Sequence, residues 1–532
     1  MSLHSNSLEG RRALPMPRTS WLWVAALGAL VLRFVLAAKL PLSGDEALFV
    51  AWSRALDYGY YDHPPMAAWW IAASRALLGE SEWAVRMPAV LLPLAVGGLI
   101  WSAWSPVDRA RAAWAVLFYW LTPFSWLVSL MATDTPLIFW AAASVATLAR
   151  AEQLAQRNET TGGSGLPWAW YALSGLCIGA AFLSKYFAVL LGVAYLVYFG
   201  GWARRRWPGL VVLVACAIPA VVVNIVWNLH HCWTNIMFNL VNRNQGSGLG
   251  WQDPLMFLVM MLYLLGPALL WLGWQSRRAS GLVLRQQPLL ACVALVPLAC
   301  FAWVSLRKEI GLHWVMAFYP FVLALLAWAA PAERLRQALV GMVAFLGLHL
   351  AALAVLVALP LSTWQGMSVY PRIVNALEAR AIVQAFDAPG VVLGASSYGS
   401  GSIYGYAAGR HVPVIGPGSV HARQDDLNVD YRALQGRTLR VVQVGEPDLA
   451  EYRPYFESVR LLSTEVHGAR IYAVEGRGFN YEAYRATVLY AVNARYYAFP
   501  DWLPVLDCPF CQRLCGQARC LPGAQAESAQ QR

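Results

Sequence analysis

The residues best equipped for chemistry stand in short polar segments between long apolar runs. Leu42-Ser43-Gly44-Asp45-Glu46-Ala47 puts two adjacent carboxylates directly after the first such run. A carboxylate at the mouth of an apolar bundle is costly to dehydrate unless it faces water, a cation or a proton to be accepted. Held beside an attacking hydroxyl or amine, Asp45 can take its proton. The competing reading is a helix cap, with Asp45 on an orphan amide and Glu46 favourable at the same terminus. Next, Tyr60-Tyr61-Asp62-His63-Pro64-Pro65 sets an acid and an imidazole before two prolines that fix an extended corner. Asp62 and His63 can bind a divalent cation, His63 can hydrogen-bond a phosphate, and a plain Asp-His surface pair explains them equally well.

Further along, Arg86 can hold a phosphate or a carboxylate bidentately, or anchor the start of an apolar span at the interface. The segment Met131-Ala132-Thr133-Asp134-Thr135-Pro136 returns another carboxylate, and two acidic sites from separate loops make capping alone a less adequate account. Lys185 can neutralise a phosphate or simply snorkel. Arg307-Lys308-Glu309-Ile310-Gly311-Leu312-His313-Trp314 adds cations, a carboxylate and an imidazole.

What must position these groups is a membrane body. The chain has 532 residues, 58% hydrophobic and only 13% charged, against about 45–50% and 25% in soluble domains, which argues against a soluble cytoplasmic enzyme. Forty basic and 29 acidic residues leave a formal charge of +11, yet the arginines gather between apolar runs rather than in a nucleic-acid-binding patch. About eleven membrane-spanning helices are expected, from residues 21–40 to 339–361, each near the ~20 residues needed to cross ~30 Å of hydrocarbon. With the N-terminus inside, Arg11, Arg12, Arg18, Arg109, Arg111, Arg150, Arg157, Arg204 to Arg206, Arg277, Arg278, Arg285, Arg334 and Arg336 fall on the cytoplasmic side. The first run is longer than a signal-peptide core and lacks a clear cleavage site, so it is expected to remain as a span. Residues 42–86, 133–135, 230–253 and 307–313 then face outward.

After residue 361 the sequence becomes ordinary globular, with strand candidates at 391–394, 439–444 and 469–474. The expected organisation is a transmembrane domain at 1–361 containing a catalytic first loop at 42–86, an extracytoplasmic α/β domain at 362–507, and a cysteine-containing tail at 508–532. The Gly-rich passage 394–409 lacks both the Rossmann spacing and a Gly-Lys-Ser/Thr ending, so a closely packed loop is expected and no organic cofactor. Cys508, Cys511, Cys515 and Cys520 allow two disulfides, a metal site or a redox pair. Residues 525–532 are expected to fray.

Taken together, Gly44-Asp45-Glu46-Ala47, Tyr61-Asp62-His63-Pro64-Pro65, the segment from Glu82 to Pro88, Thr133-Asp134 and the segment from His313 to Pro320 are ordered motifs. On them the chain resembles the membrane glycosyltransferase superfamily of polyprenyl-phosphate-mannose protein mannosyltransferases and aminoarabinose lipid A transferases. The resemblance implies a multipass GT-C fold with an outward-facing cavity and a sugar donor carried on polyprenyl phosphate. It implies Asp45 as the catalytic carboxylate with Asp134 and Glu46 in support. Asp62, His63, Arg86, Lys185, Arg307, Lys308 and Glu309 would contact substrate, and Asp62 with His313 could ligate a divalent metal. In this sequence Asp62-His63 stands where the lipid A branch usually has Glu-Lys.

The expected function is transfer of a sugar to an envelope glycolipid such as lipid A at the periplasmic face of a bacterial inner membrane. A protein or a polysaccharide acceptor is the alternative, and a non-enzymatic lipid transporter is the rival of another class. No nucleic-acid partner and no obligate protein partner are expected.

Overall fold

The computed structural model describes residues 14–520 apart from 128, 163–164, 245–247 and 418–420. Arg11, Arg12 and residues 525–532, which carried part of the topology reading and the expected fraying, lie outside the described residues. Among the described residues, six helices are long and apolar enough to cross a membrane: Thr19–Lys39, Glu82–Trp104, Arg204–His230, Gln252–Arg278, Pro288–Ser305 and Ala332–Ala358. Their outer faces explain the composition. Val211, Val214, Ile218, Val343, Leu348 and Val355 are exposed along two of them, an apolar surface far larger than a soluble monomer tolerates and suited to lipid.

The expected count of eleven spans is therefore corrected to six. The remaining apolar runs do form helices, but Trp168–Phe182, Ala188–Gly201 and Tyr319–Ala329 are shorter than a full crossing requires, as is Arg109–Leu121 with 13 residues. Asp134–Thr160 has the length, at 27 residues, but carries Arg150, Glu152, Arg157 and Glu159 in its second half. One long helix, Gln252–Gln286, is broken at Gly266, whose φ of 64° is a left-handed conformation ahead of Pro267. Glycine takes that conformation without a Cβ penalty, and the following proline cannot donate the hydrogen bond that would continue the helix.

The C-terminal part holds one four-stranded sheet in the order β1-β2-β4-β3, with β1 Val391–Ala395, β2 Thr438–Gln443, β3 Phe456–Val466 and β4 Ala469–Phe479. β1 and β2 run parallel, and the other pairs are antiparallel. The sequence strand candidates coincide with β1, β2 and β4. β3 was missed because it is an edge strand with most of its residues open to solvent, so it lacks a clean apolar alternation.

This part sits directly on the first polar loop. The Gly-rich passage expected to be a loop instead ends β1 and forms the helix Tyr398–Ala408, which packs against the first-loop helix Gly44–Arg54. The two backbones meet at Gly44, where a Cβ would come within 3.3 Å of the Gly399 Cα. The close backbone packing held, while the loop assignment did not. A disulfide from Cys232 to Cys508 ties the segment following the helix Trp207–His230 to the C-terminal tail, and Cys515 pairs with Cys520. Cys508, Phe510, Cys511 and Leu514 are buried in the same cluster as Tyr61, Trp227 and Phe238, so the tail is packed into the junction between the two parts.

Candidate active site

Adjacent carboxylates of the first loop turn out to have opposite environments. Ser43 caps the helix Gly44–Arg54, its hydroxyl accepting from the Glu46 amide while Glu46 accepts from the Ser43 amide. This reciprocal capping box satisfies two orphan donors. Glu46 is 1% exposed and takes three more donors: Arg86 Nε and Nη2, each at 2.7 Å, and the Met131 amide at 2.9 Å. Arg86 is fully buried and spends its remaining donors on the carbonyls of Ala37, Leu40 and Pro41. Glu46, expected as a catalytic group, and Arg86, expected as a phosphate contact, are thus paired with each other. Neither has a free polar edge, and the pair instead joins the first loop, the end of the first span and the loop before Asp134.

One residue earlier the side chain turns by about 100° around the helix, and Asp45 is exposed. No described residue donates a hydrogen bond or pairs with it. Desolvation by the surrounding protein raises its carboxyl above the ordinary range, as does the nearby charge of Asp62, while Arg423 and His313 oppose the shift.

Asp134 begins the helix Asp134–Thr160, and its two oxygens receive Lys185 Nζ at 2.9 and 2.8 Å. Both residues are nearly buried. Lys185 also lies 5.2 Å from the centre of the Phe187 ring, and one of its three donor positions is left over after the carboxylate contacts. His313 is exposed at the start of the short helix Leu312–Ala317. Its pKa is lowered first by desolvation, with Lys185 and Arg243 acting in the same direction and Asp134 and Asp45 against it. His63 is pushed down to about 3 by burial and by the charges of Lys185 and Arg243, so its imidazole is neutral. Thus Asp45, Asp134, Lys185, His63 and His313 share one electrostatic neighbourhood although four separate segments supply them.

Asp62 is held from two sides. Asn239 donates to its backbone carbonyl at 3.0 Å, and Arg423 from the C-terminal part reaches its carboxylate at 3.0 Å. Gln424 follows suit, accepting from the Tyr61 amide at 2.7 Å. Lys308 ties two loops together through Asn244 Oδ1 at 2.7 Å and the Arg243 carbonyl at 3.2 Å. Arg307 and Glu309 are exposed, and their side chains make no hydrogen bond or ion pair among the described residues, so the structure does not bring them into the cluster. Arg243, Arg423, Asn235 and Asn239 were missed by sequence reading, since they stand far from the acidic motifs along the chain.

Asp62 is engaged by a guanidinium, and among the described residues neither it nor His313 belongs to a group of three possible ligands. The one such group is Cys232, Cys508 and Cys511. There the disulfide engages two of the three sulfurs, which removes the thiolates that metal binding requires.

Residues 62–227 match the family described as dolichyl-phosphate-mannose-protein mannosyltransferase. The fold is similar to that of ArnT from Cupriavidus metallidurans. Its apo form and its undecaprenyl-phosphate-bound form give TM-scores of 0.61 and 0.59 at 16% and 15% identity, covering 86% of this chain and 98% of theirs. These likenesses show a shared fold. In sequence, the chain is 30% identical over 248 residues to the lipid A galacturonosyltransferase RgtD of Rhizobium johnstonii, 44% of this chain and 50% of that one. It is 25% identical over 296 residues to the undecaprenyl phosphate-alpha-4-amino-4-deoxy-L-arabinose arabinosyl transferase of Edwardsiella ictaluri, 48% and 52% of the two chains. The match therefore spans about half the length of these curated relatives.

Proposed function

We propose that this protein transfers a sugar from a polyprenyl-phosphate-linked donor to an envelope glycolipid such as lipid A, at the periplasmic face of a bacterial inner membrane. The observation that carries the reading is the contrast within the acidic loop: Glu46 is consumed by Arg86, while the exposed Asp45 side chain has no hydrogen-bond partner among the described residues and stands within electrostatic reach of Arg423 and His313. The lipid A relatives support the acceptor class. The helices Glu82–Trp104 and Asp134–Thr160 carry Arg109, Arg111, Arg150 and Arg157 toward or just beyond the ends remote from Arg86 and Asp134, which by the positive-inside rule supports a cytoplasmic side there and a periplasmic C-terminal part.

In this reading Asp45 accepts the proton of the attacking acceptor group as it approaches the anomeric carbon. Lys185, oriented by Asp134, and Arg243, whose guanidinium lies over the Phe238 and Trp314 rings, stabilise the charge that builds on the departing lipid phosphate. His63 serves as a neutral hydrogen-bonding group there. A direct attack of this kind inverts the anomeric centre. The Glu46–Arg86 pair positions the loop and does not touch substrate. The test is transfer of radiolabel from a panel of polyprenyl-phosphate sugars to extracted envelope lipids by the protein in nanodiscs. Label in a lipid fraction supports the proposal, whereas label only in protein would move it to the protein acceptor that the matched family's description names.

A further inference from the structure

Arg423 does not behave as a surface arginine of the C-terminal part. Its backbone adopts φ 55° and ψ −111°, a conformation that a non-glycine residue keeps only where surrounding contacts impose it. Here they do. The guanidinium lies 5.2 Å from the Phe238 ring centre and 5.0 Å from that of Tyr398, between a ring of the membrane body and a ring of the C-terminal part. Only Nη1 is bonded, to Asp62 at 3.0 Å. Among the described residues Nε and Nη2 have no partner, and 37% of the side chain remains exposed. Above it the Tyr398 hydroxyl is buried without a hydrogen-bond partner. A pre-oriented planar cation with unused donors, beside an unpaired phenol and within electrostatic reach of Asp45, has the features of an oxyanion-binding group.

We propose that Arg423 binds an anionic oxygen, phosphate or carboxylate, on the headgroup of the acceptor glycolipid, so that the C-terminal part contributes a substrate-binding side chain to the site. The inference rests on the transferase reading above. The acceptor is favoured over the donor phosphate because Arg423 enters from the C-terminal part, bonded to Asp62 and within electrostatic reach of Asp45, the proposed base that faces the acceptor, whereas Lys185 is paired with Asp134 in the membrane body; Arg243 lies over the same Phe238 ring as Arg423. The lone contact to Asp62 holds the guanidinium in place while leaving its other edge for the ligand.

The experiment uses the full chain in nanodiscs with Arg423→Gln and Arg423→Lys. Binding of diphosphorylated and of fully dephosphorylated lipid A is measured by native mass spectrometry, alongside acceptor and donor KM in the transfer assay. Losing one charge-assisted contact predicts that Arg423→Gln weakens binding of the phosphorylated lipid about tenfold or more, abolishes the preference over the dephosphorylated one, and leaves donor KM within about twofold. Arg423→Lys, keeping the charge but not the planar edge, should fall between. Unchanged lipid preference in Arg423→Gln, or a defect confined to the donor, overturns the proposal. Should Arg423→Gln fail to fold, Arg423→Lys decides: a several-fold rise in acceptor KM at constant donor KM supports it, and a wild-type acceptor KM overturns it. A wild type that binds lipid A through Arg423 but transfers no sugar contradicts the transferase reading and leaves the binding inference standing.

Discussion

Two neighbouring carboxylates, Asp45 and Glu46, should respond to the same chemical change in opposite ways. Glu46→Gln removes a charge that accepts from Arg86 Nε and Nη2 at 2.7 Å in a fully buried setting, and it leaves the guanidinium uncompensated. Breaking such a pair costs about 3–5 kcal/mol, a large share of the roughly 5–15 kcal/mol that holds a typical domain together. Asp45→Asn breaks no hydrogen bond or ion pair among the described residues. It also removes a carboxyl that its surroundings hold above the ordinary range. A raised folded pKa means the native state binds the proton more tightly than the unfolded state. The ionised side chain is therefore destabilising, and stability is lost as pH rises through the window between the unfolded and folded values. Asp45→Asn should accordingly be as stable as wild type or slightly more so at neutral pH, with any difference closing on acidification. Its transfer rate should drop about 10²–10⁴-fold, the usual contribution of a positioned general base. Thermal unfolding of both variants in the same detergent, with transfer measured on the folded fraction, checks this. A Glu46→Gln protein as stable as wild type, or an Asp45→Asn protein that unfolds while Glu46→Gln does not, would refute the division of roles.

Other consequences can be measured separately. Asp134→Asn should weaken both stability and transfer, because it leaves the Lys185 ammonium nearly buried without its carboxylate, at a cost of about 3–5 kcal/mol; a change under ~1 kcal/mol contradicts this. At the far end of the bundle, Glu152 accepts from Arg206 at 2.9 Å and from Tyr171 at 2.6 Å, so Glu152→Ala should lower the unfolding temperature without altering donor or acceptor KM in the folded fraction. Cys508→Ser opens a link between positions 276 residues apart and should cost about 2–5 kcal/mol, seen as a lower unfolding temperature; reducing agent should lower wild type at least as far, and the variant, which keeps the Cys515–Cys520 disulfide, by less than wild type. Arg33, 1% exposed, has a single acceptor, the Ala89 carbonyl, so Arg33→Met should be neutral or stabilising; marked destabilisation in thermal unfolding would show that this buried charge has a partner the geometry does not reveal.

Much of the site was legible in the sequence because membrane proteins confine their polar groups. Asp45, Asp134, Lys185 and His313 each stood out as charges beside apolar runs, and the structure brings them into one neighbourhood. Which of two adjacent carboxylates faced inward was harder, since the difference is a single residue's rotation around a helix. The spacing of Ser43 and Glu46 nevertheless carried a usable signal, the Ser-x-x-Glu pattern of a capping box, which assigns Glu46 to the helix start and frees Asp45. Arg423 and the Cys232–Cys508 disulfide were beyond reach. They join segments hundreds of residues apart, and nothing local to either segment encodes the other. The span count failed for a physical reason too: apolar runs of eleven to fifteen residues make helices that pack within the bundle, and composition alone does not distinguish these from full crossings.

The most direct test of the central claim is single-turnover transfer from a polyprenyl-phosphate sugar to lipid A in nanodiscs, comparing wild type with Asp45→Asn at matched donor occupancy. The account predicts transfer to the lipid by wild type, and a folded variant that binds donor equally well while its chemical step slows at least a hundredfold, on the order expected for losing a general base. Equal single-turnover rates for the two proteins would contradict it.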